Sequence, residues 1–329
     1  MSSKLEELVG RYRALGIDRQ IDYDKFYLYS IITHSTAIEG STITELENQI
    51  MFDNGIALKG KSLIEQNMNL DLKAAYERAL EFARDHSAVT IDRLKELSAL
   101  TMKNTGTVYH TMLGDFSSSA GDLRLLNVTA GVGGKSYMTF NKVPSHLENL
   151  CNDLNNRRNK ADRMSIQELY NLSFDAHFNL VTIHPWADGN GRMARLLMNW
   201  LQFEYNLIPS RIFANDKEEY IKALVETRDV GDIEIFRRFM TLTTERHLAN
   251  DIASFEQSVE EPVVFYGNLS TSERIVALIK ENPHHSARTL ALATGISAKG
   301  VEKQLAKLKS QGKIKRVGPD KGGSWEVVS

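Results

Sequence analysis

The chain has 329 residues, with 40 Lys plus Arg against 42 Asp plus Glu for a net charge of −2 with histidine neutral, so its overall composition gives no sign of a nucleic-acid binder. Its one cysteine, Cys151, excludes an intrachain disulfide and multi-cysteine zinc sites, and makes a reducing cytoplasm the expected compartment. The first eight residues lack the apolar core of a signal peptide and no apolar run approaches a membrane span, so no membrane partner is expected; the length allows two or three domains.

Helical periodicity dominates the chain in order. Asp24 to Ile38 reads as a helix, with Phe26, Tyr29, Ile32 and Thr36 in broad register and Gly40 as a stop. Thr42-x-x-Glu45 and Thr44-x-x-Glu47 are both capping-box patterns and open a helix toward Phe52. Leu70 to Arg84, Thr90 to Met102, Pro144 to Asn155 and Ser165 to Ile183 follow as helices. Met193 to Tyr205 is apolar almost all round, the mark of a buried central helix, and Asp216 to Arg228 and Ile233 to Leu248 come next. The exception is Ala130 to Val143, where four residues containing three glycines precede Ser136-Tyr137-Met138-Thr139-Phe140. Gly134-Lys135-Ser136 matches the end of a phosphate loop, but Thr129 stands where that motif needs its first glycine. A hairpin with a glycine turn is the expectation.

Gln257 to Thr271, with Pro262 and Gly267, reads as a linker. From Thr271 onward there are eleven Lys plus Arg against five Asp plus Glu, so the tail is net +6 and the remainder net −8. That contrast predicts a separate module. Helices over Ser272–Lys280, Ser286–Ala293 and Ser297–Lys309, then strands over Lys313–Val317 and Ser324–Val328, make a winged helix. Lys299, Lys303, Lys307 and Arg316 fall on its third helix and wing, where such modules meet DNA. Protein docking and dimerisation are the alternatives, because fold alone does not imply function.

The most informative stretch runs from His184 to Arg195: His184-Pro185-Trp186-Ala187-Asp188-Gly189-Asn190-Gly191-Arg192-Met193-Ala194-Arg195. The Asp-Gly-Asn-Gly turn can aim backbone N–H groups outward, and the helix after it adds its own unpaired N–H groups and positive dipole end. Arg192 and Arg195 are three apart and reach one face. Asp188 is a hard oxygen ligand suited to Mg²⁺ on a phosphate chain, and His184 suits a general base near neutral pH. The turn alone is ordinary. The joint pattern would arise in a random chain of this length on the order of once in a few million cases.

This segment resembles the signature of the Fic family, His-x-Phe-x-(Asp/Glu)-Gly-Asn-Gly-Arg-x-x-Arg, with Trp186 in place of the usual Phe. The resemblance runs through roughly residues 24 to 240, and Gly121-x-x-Arg124-x-x-x-Val128 resembles the lead-in to the family's substrate flap. It implies a mainly α fold: a Fic-type helical core with a small β-hairpin flap, followed by the winged helix-turn-helix domain. The implied domains are 1–110 (N-terminal helices, an inhibitory helix at about 24–40 among them), 111–256 (catalytic core), 257–271 (linker) and 272–329 (winged helix). It further implies transfer of AMP from ATP to a Ser, Thr or Tyr hydroxyl of a protein, self-modification included. In that scheme His184 is the base, and Gly189, Asn190 and Gly191 form an anion hole. Arg192 and Arg195 hold the phosphate chain, Asp188 holds Mg²⁺, and Asn199 touches adenine. The flap presents the target through Ser136, Tyr137, Met138 and Thr139 by strand pairing.

Ser35-Thr36-Ala37-Ile38-Glu39-Gly40 resembles the family's inhibitory motif, (Ser/Thr)-x-x-x-Glu-(Gly/Asn). Such a hexapeptide occurs by chance in roughly one chain of this length in four. Its weight comes from its place, at the end of a predicted helix N-terminal to the core. The resemblance assigns Ser35, Glu39 and Gly40 to self-inhibition, with Glu39 competing for Arg195. Two rivals stay open: removal of AMP or use of another nucleotide, and a nucleotide-sensing DNA-binding regulator. Oligomeric state is open too, a homo-oligomer included.

Overall fold

The computed structural model describes residues 3–129, 136–260, 271–281, 283, 285, 287–294, 298–317 and 324–328. They fall into two compact units, Met1–Glu256 and Gln257–Ser329. In the first, helices α1 (Lys4–Ala14), α2 (Tyr23–Ile38), α3 (Glu45–Asn54), α4 (Leu63–Arg84) and α5 (Ile91–Thr101) precede a hairpin of β1 (Val108–Thr111) and β2 (Gly114–Ser117). Helices α6 (Val143–Arg158), α7 (Ile166–Ile183), α8 (Asn190–Glu204), α9 (Lys217–Val230) and α10 (Ile233–Glu260) follow.

Helix α8 is the centre of this unit. Met193, Leu196, Leu197 and Trp200 are fully buried, and α8 packs against α7 and α4. It is buried on nearly every side, but the expectation of an all-apolar helix is not met: Asn190, Arg192, Arg195, Asn199 and Gln202 are buried among its apolar residues. Capping boxes at Ser3, Thr44, Ser62 and Ser165 open α1, α3, α4 and α7. Of the two overlapping boxes in the sequence, Thr44 caps the helix. Thr42 instead gives its N–H and hydroxyl to Glu65, at 2.8 and 2.7 Å.

Several expectations change. Helix α4 starts at Leu63 rather than Leu70, and α8 at Asn190 rather than Met193. Helix α1 and the β1–β2 hairpin were not anticipated, and α10 continues to Glu260, so 257–260 of the expected linker are helical. The flap shows an antiparallel bridge between Thr129 and Ser136 and a 3.0 Å bond from Tyr137 N–H to the Val128 carbonyl. Its expected turn, 130–135, lies outside the described residues.

The second unit holds α11 (Thr271–Glu281), α12 (Ala287–Thr294), α13 (Ala298–Ser310), β3 (Ile314–Val317) and β4 (Ser324–Val327). The strands pair antiparallel, Arg316 opposite Trp325. Ile275, Ile279, Leu290, Val301, Leu305, Leu308 and Ile314 form its core. Three helices and a two-stranded wing make the winged helix expected from the pattern. Among the described residues, no helix is long and apolar enough to cross a membrane.

Candidate active site

Helix α7 ends on His184, whose backbone is left-handed at φ 53. That conformation is uncommon for a non-glycine residue, and the following Pro185 restricts it further. Hydrogen bonds hold it in place. His184 N–H reaches the Leu180 carbonyl at 3.0 Å, and Arg124 Nε donates to the His184 carbonyl at 2.7 Å. The backbone N–H of Arg124 adds a 3.0 Å bond to the Pro185 carbonyl. Trp186 is buried, and its indole N–H, which a Phe would lack, reaches the Gly121 carbonyl at 3.1 Å. Asn190 staples the loop: its Oδ1 accepts from Trp186 N–H at 3.0 Å and its Nδ2 donates to the Trp186 carbonyl at 2.8 Å.

Gly189 supplies the left-handed turn, φ 80, into α8. Its own N–H is taken by Asp188 Oδ1 at 2.6 Å, so Gly189 shapes the turn and, against the sequence expectation, does not offer its N–H to an anion in this structure. The first intrahelical bond of α8 is Met193 N–H to the Gly189 carbonyl, 2.9 Å. The N–H groups of Asn190, Gly191 and Arg192 therefore have no partner within the helix.

His184 Nδ1 lies 3.3 Å from the Val181 carbonyl. That partner places the ring proton on Nδ1 and leaves the Nε2 lone pair to accept one. Burial pushes the imidazole pKa down to about 4; Arg124 and Arg228 add to this, while the Val181 bond and Asp188 oppose it. His184 is therefore neutral at pH 7. Tyr137 lies flat on it, ring centroids 3.8 Å apart at 18°, and the Arg228 guanidinium sits 5.6 Å from the Tyr137 ring. This stack was not legible in the sequence.

Arg195 is buried and held by α2. Its Nε donates to Ser35 Oγ at 2.8 Å, and its Nη2 donates to the Ser35 carbonyl at 3.0 Å and Glu39 Oε1 at 2.5 Å. Gly40, φ 102, follows Glu39 at the helix end. A Cβ placed on Gly191 would lie 2.8 Å from Glu39 Oε1, so the carboxylate rests directly on the first turn of α8. Burial alone would raise the Glu39 pKa; the charge and hydrogen bond of Arg195, with Arg192 and Lys217, outweigh it and hold the carboxyl below its usual range. Arg192 is also buried but poorly satisfied. It makes a 3.4 Å bond to the Thr101 carbonyl and a 3.0 Å contact with Met102 Sδ, and its Nε is buried without a partner among the described residues. Asp188 Oδ1 stands 3.8 Å from it.

Asn199 does not belong to this site. It is 1% exposed, accepts from the Tyr76 hydroxyl at 2.7 Å, and donates to Gln202 Oε1 and the Ser210 carbonyl at 2.9 and 3.0 Å. Both amide hydrogens and the carbonyl are engaged inside the core, so the expected adenine contact is withdrawn.

A helix entry with unpaired N–H groups, two buried arginines and a neutral histidine meet at the start of α8 in a helical domain. Comparison with known proteins specifies it further. Residues 88–202 match the profile of the Fic/DOC family, and residues 269–315 match that of winged helix-turn-helix DNA-binding domains. The chain carries a Fic domain and, after it, a winged helix-turn-helix domain. It is 30% identical over 226 residues to protein adenylyltransferase Fic of Nematostella vectensis, which covers 68% of this chain and 48% of that protein. It is 25% identical over 266 residues to protein adenylyltransferase fic-1 of Caenorhabditis briggsae, 78% of this chain and 48% of the other. The chain thus spans about half the length of these relatives. Among solved structures, a Fic domain-containing signaling protein from Bacteroides thetaiotaomicron shares the fold with TM-score 0.63 at 21% identity, over 78% of this chain and 97% of that one. A Fic family protein from Desulfovibrio desulfuricans does so with TM-score 0.63 at 20% identity, over 99% and 94%.

Proposed function

We propose that this chain is a self-inhibited protein adenylyltransferase, moving AMP from ATP to a Ser, Thr or Tyr hydroxyl of a protein. The observation that carries the reading is the neutral His184, proton on Nδ1 and Nε2 without a hydrogen-bond partner among the described residues, on the loop that leads into α8. His184 Nε2 takes the hydroxyl proton. The hydroxyl oxygen attacks the α-phosphorus in line, the bond to the β-phosphate oxygen breaks, and pyrophosphate leaves. Backbone N–H groups at the start of α8, Arg192 and Arg195 neutralise charge on the phosphates, which in such transfers does most of the work. The Asp188 side chain is 61% exposed beside this site, and one carboxylate next to phosphate oxygens is the donor set Mg²⁺ commonly uses. When bound there, the ion would supply further neutralisation of phosphate charge.

The place of Glu39 supports the self-inhibition. Its carboxylate occupies the guanidinium of Arg195 and the surface of Gly191, the place a terminal phosphate needs. ATP seats productively once that carboxylate is displaced. Intact-mass analysis of the Glu39→Gly protein after incubation with ATP and Mg²⁺, alone and in lysate, tests the activity. An added AMP that vanishes with His184→Ala supports it; no adduct on any protein refutes it. A nucleotide panel in the same assay sets the base preference.

A second reading concerns the tail. Lys299, Lys303 and Lys307 are exposed along α13, spaced one turn apart, and the matched profile is one of DNA-binding modules. We propose that residues 272–329 bind DNA through α13 and the wing. Affinity should fall steeply with salt and drop when the three lysines become glutamine; salt-independent or absent binding by the full chain would instead favour protein docking.

A further inference from the structure

Arg124 is buried to 1% exposure, yet among the described residues every hydrogen bond its side chain makes goes to a backbone carbonyl. Nε donates to His184 at 2.7 Å, Nη1 to Leu126 at 2.7 Å and Nη2 to Met138 at 2.5 Å. Among the described residues no carboxylate pairs with it, and burial lowers its pKa. A buried, unpaired cation is costly to keep, so its retention calls for a reason other than packing.

The carbonyls supply that reason. Leu126 and Met138 lie on the two limbs that flank the Thr129–Ser136 bridge, and His184 is the base in its strained conformation. Three N–H vectors of one rigid plane thus join both limbs of the flap to the catalytic loop. The backbone N–H of Arg124 fixes the next carbonyl, that of Pro185. A lysine could not reproduce this, because its ammonium lacks the planar fork.

We propose that Arg124 is a positioning residue that couples the seating of a target segment on the flap to the pose of the His184 imidazole. This rests on the adenylyltransferase reading given above. Arg124 touches neither nucleotide nor acceptor; it acts through the His184 and Met138 carbonyls. It also adds positive charge near the imidazole. The other groups bearing on that ring are Asp188, Arg228, Tyr137 and the Val181 carbonyl.

The test uses the full chain with Arg124→Lys and Arg124→Gln, each also carrying Glu39→Gly so that transfer can be measured. Arg124→Lys keeps the charge and loses the fork; Arg124→Gln loses both. Nucleotide affinity should stay within about threefold in each, while kcat for transfer falls on the order of tenfold to a hundredfold, the effect of a misplaced base. NMR titration of isotope-labelled histidines, with His184→Ala to assign the signal, reads the ring directly. The His184 midpoint should stay near its parent value with lysine and rise toward the ordinary histidine value with glutamine. Parent kcat in Arg124→Lys, or one and the same His184 midpoint in all three proteins, would overturn the proposal. So would loss of cooperative unfolding in both variants, which would make Arg124 a residue of the fold. If no protein transfers AMP while the NMR midpoints still separate as expected, the adenylyltransferase reading fails and the Arg124–His184 coupling stands.

Discussion

Removing the Glu39 carboxylate should raise AMP transfer by about thirtyfold. Glu39 and Arg195 meet at 2.5 Å with side-chain exposures of 35% and 3%. Opposite charges about 4 Å apart at an effective dielectric near 20 attract by about 4 kcal/mol, and Glu39 is open enough to water that about half of this survives screening. A bias of about 2 kcal/mol corresponds to roughly a thirtyfold change in the fraction of Arg195 free for a phosphate. Two bonds from Ser35 remain when Glu39 is gone, so the guanidinium stays aimed into the site. Glu39→Gln removes the charge and keeps the shape; Glu39→Gly also loosens the end of α2. Initial rates of self-modification by intact mass, at saturating ATP and Mg²⁺, are the assay. Activation by both variants supports the clamp, and activation by glycine alone points to helix loosening. The reasoning is refuted if neither variant exceeds wild type while Arg195→Ala still abolishes transfer.

His184→Ala should abolish transfer and leave nucleotide affinity within a few-fold. In the intact protein, protonation below about pH 4 removes the base, so the acid limb of kcat/KM should fall near pH 4; a limb near 6.5 would show that His184 is not held neutral by burial. Asp188→Ala should weaken Mg²⁺-dependent nucleotide binding and activity together, and equal wild-type activity in EDTA would defeat the metal assignment. Asn199→Ala should lower stability by about 2 kcal/mol in urea unfolding, because the Tyr76 hydroxyl, Gln202 and the Ser210 carbonyl lose their partner, and should leave the base preference unchanged. A shifted base preference at unchanged stability would restore Asn199 to the site.

What the sequence disclosed follows the range of the interactions. The stretch from His184 to Arg195 is contiguous, so one turn and one helix entry present its groups together, and local chemistry was enough. The meeting of Glu39 with Arg195 spans 156 positions and was legible only through resemblance. Tyr137 on His184 and the fork of Arg124 depend on how the flap folds back on α7, which no local period encodes. Other signals were present and outweighed. Ser3-x-x-Glu6 with Leu5, Val9 and Tyr12 spelled out α1. Ser62-x-x-Glu65 marked the true start of α4, but Leu63 and Ile64 there face solvent while Gln66 and Asn69 are buried, an inverted pattern that hid the first two turns. The β1–β2 hairpin turns on Met112-Leu113, without the glycine or asparagine that usually announces a tight turn. Asn199 sits on a helix read as apolar all round, and that reading already argued against a ligand contact.

The three buried guanidiniums near the site are satisfied to different degrees, and the differences bear on how the proposed inhibition would work. Each side-chain nitrogen of Arg124 donates to a carbonyl, and Arg195 donates from Nε and Nη2 to Ser35 and Glu39. Arg192 has one long carbonyl bond, a thioether and an empty Nε. An incoming phosphate gains most where a buried charge is least compensated, so Arg192 and the open N–H groups of α8 can draw a nucleotide in while Arg195 is still engaged. In the proposed scheme Glu39 would then oppose the last step of seating rather than binding as such. Its removal should therefore raise kcat far more than it lowers the nucleotide Kd. A Kd that drops in proportion to the gain in rate would place Glu39 as a plain competitor for the whole site.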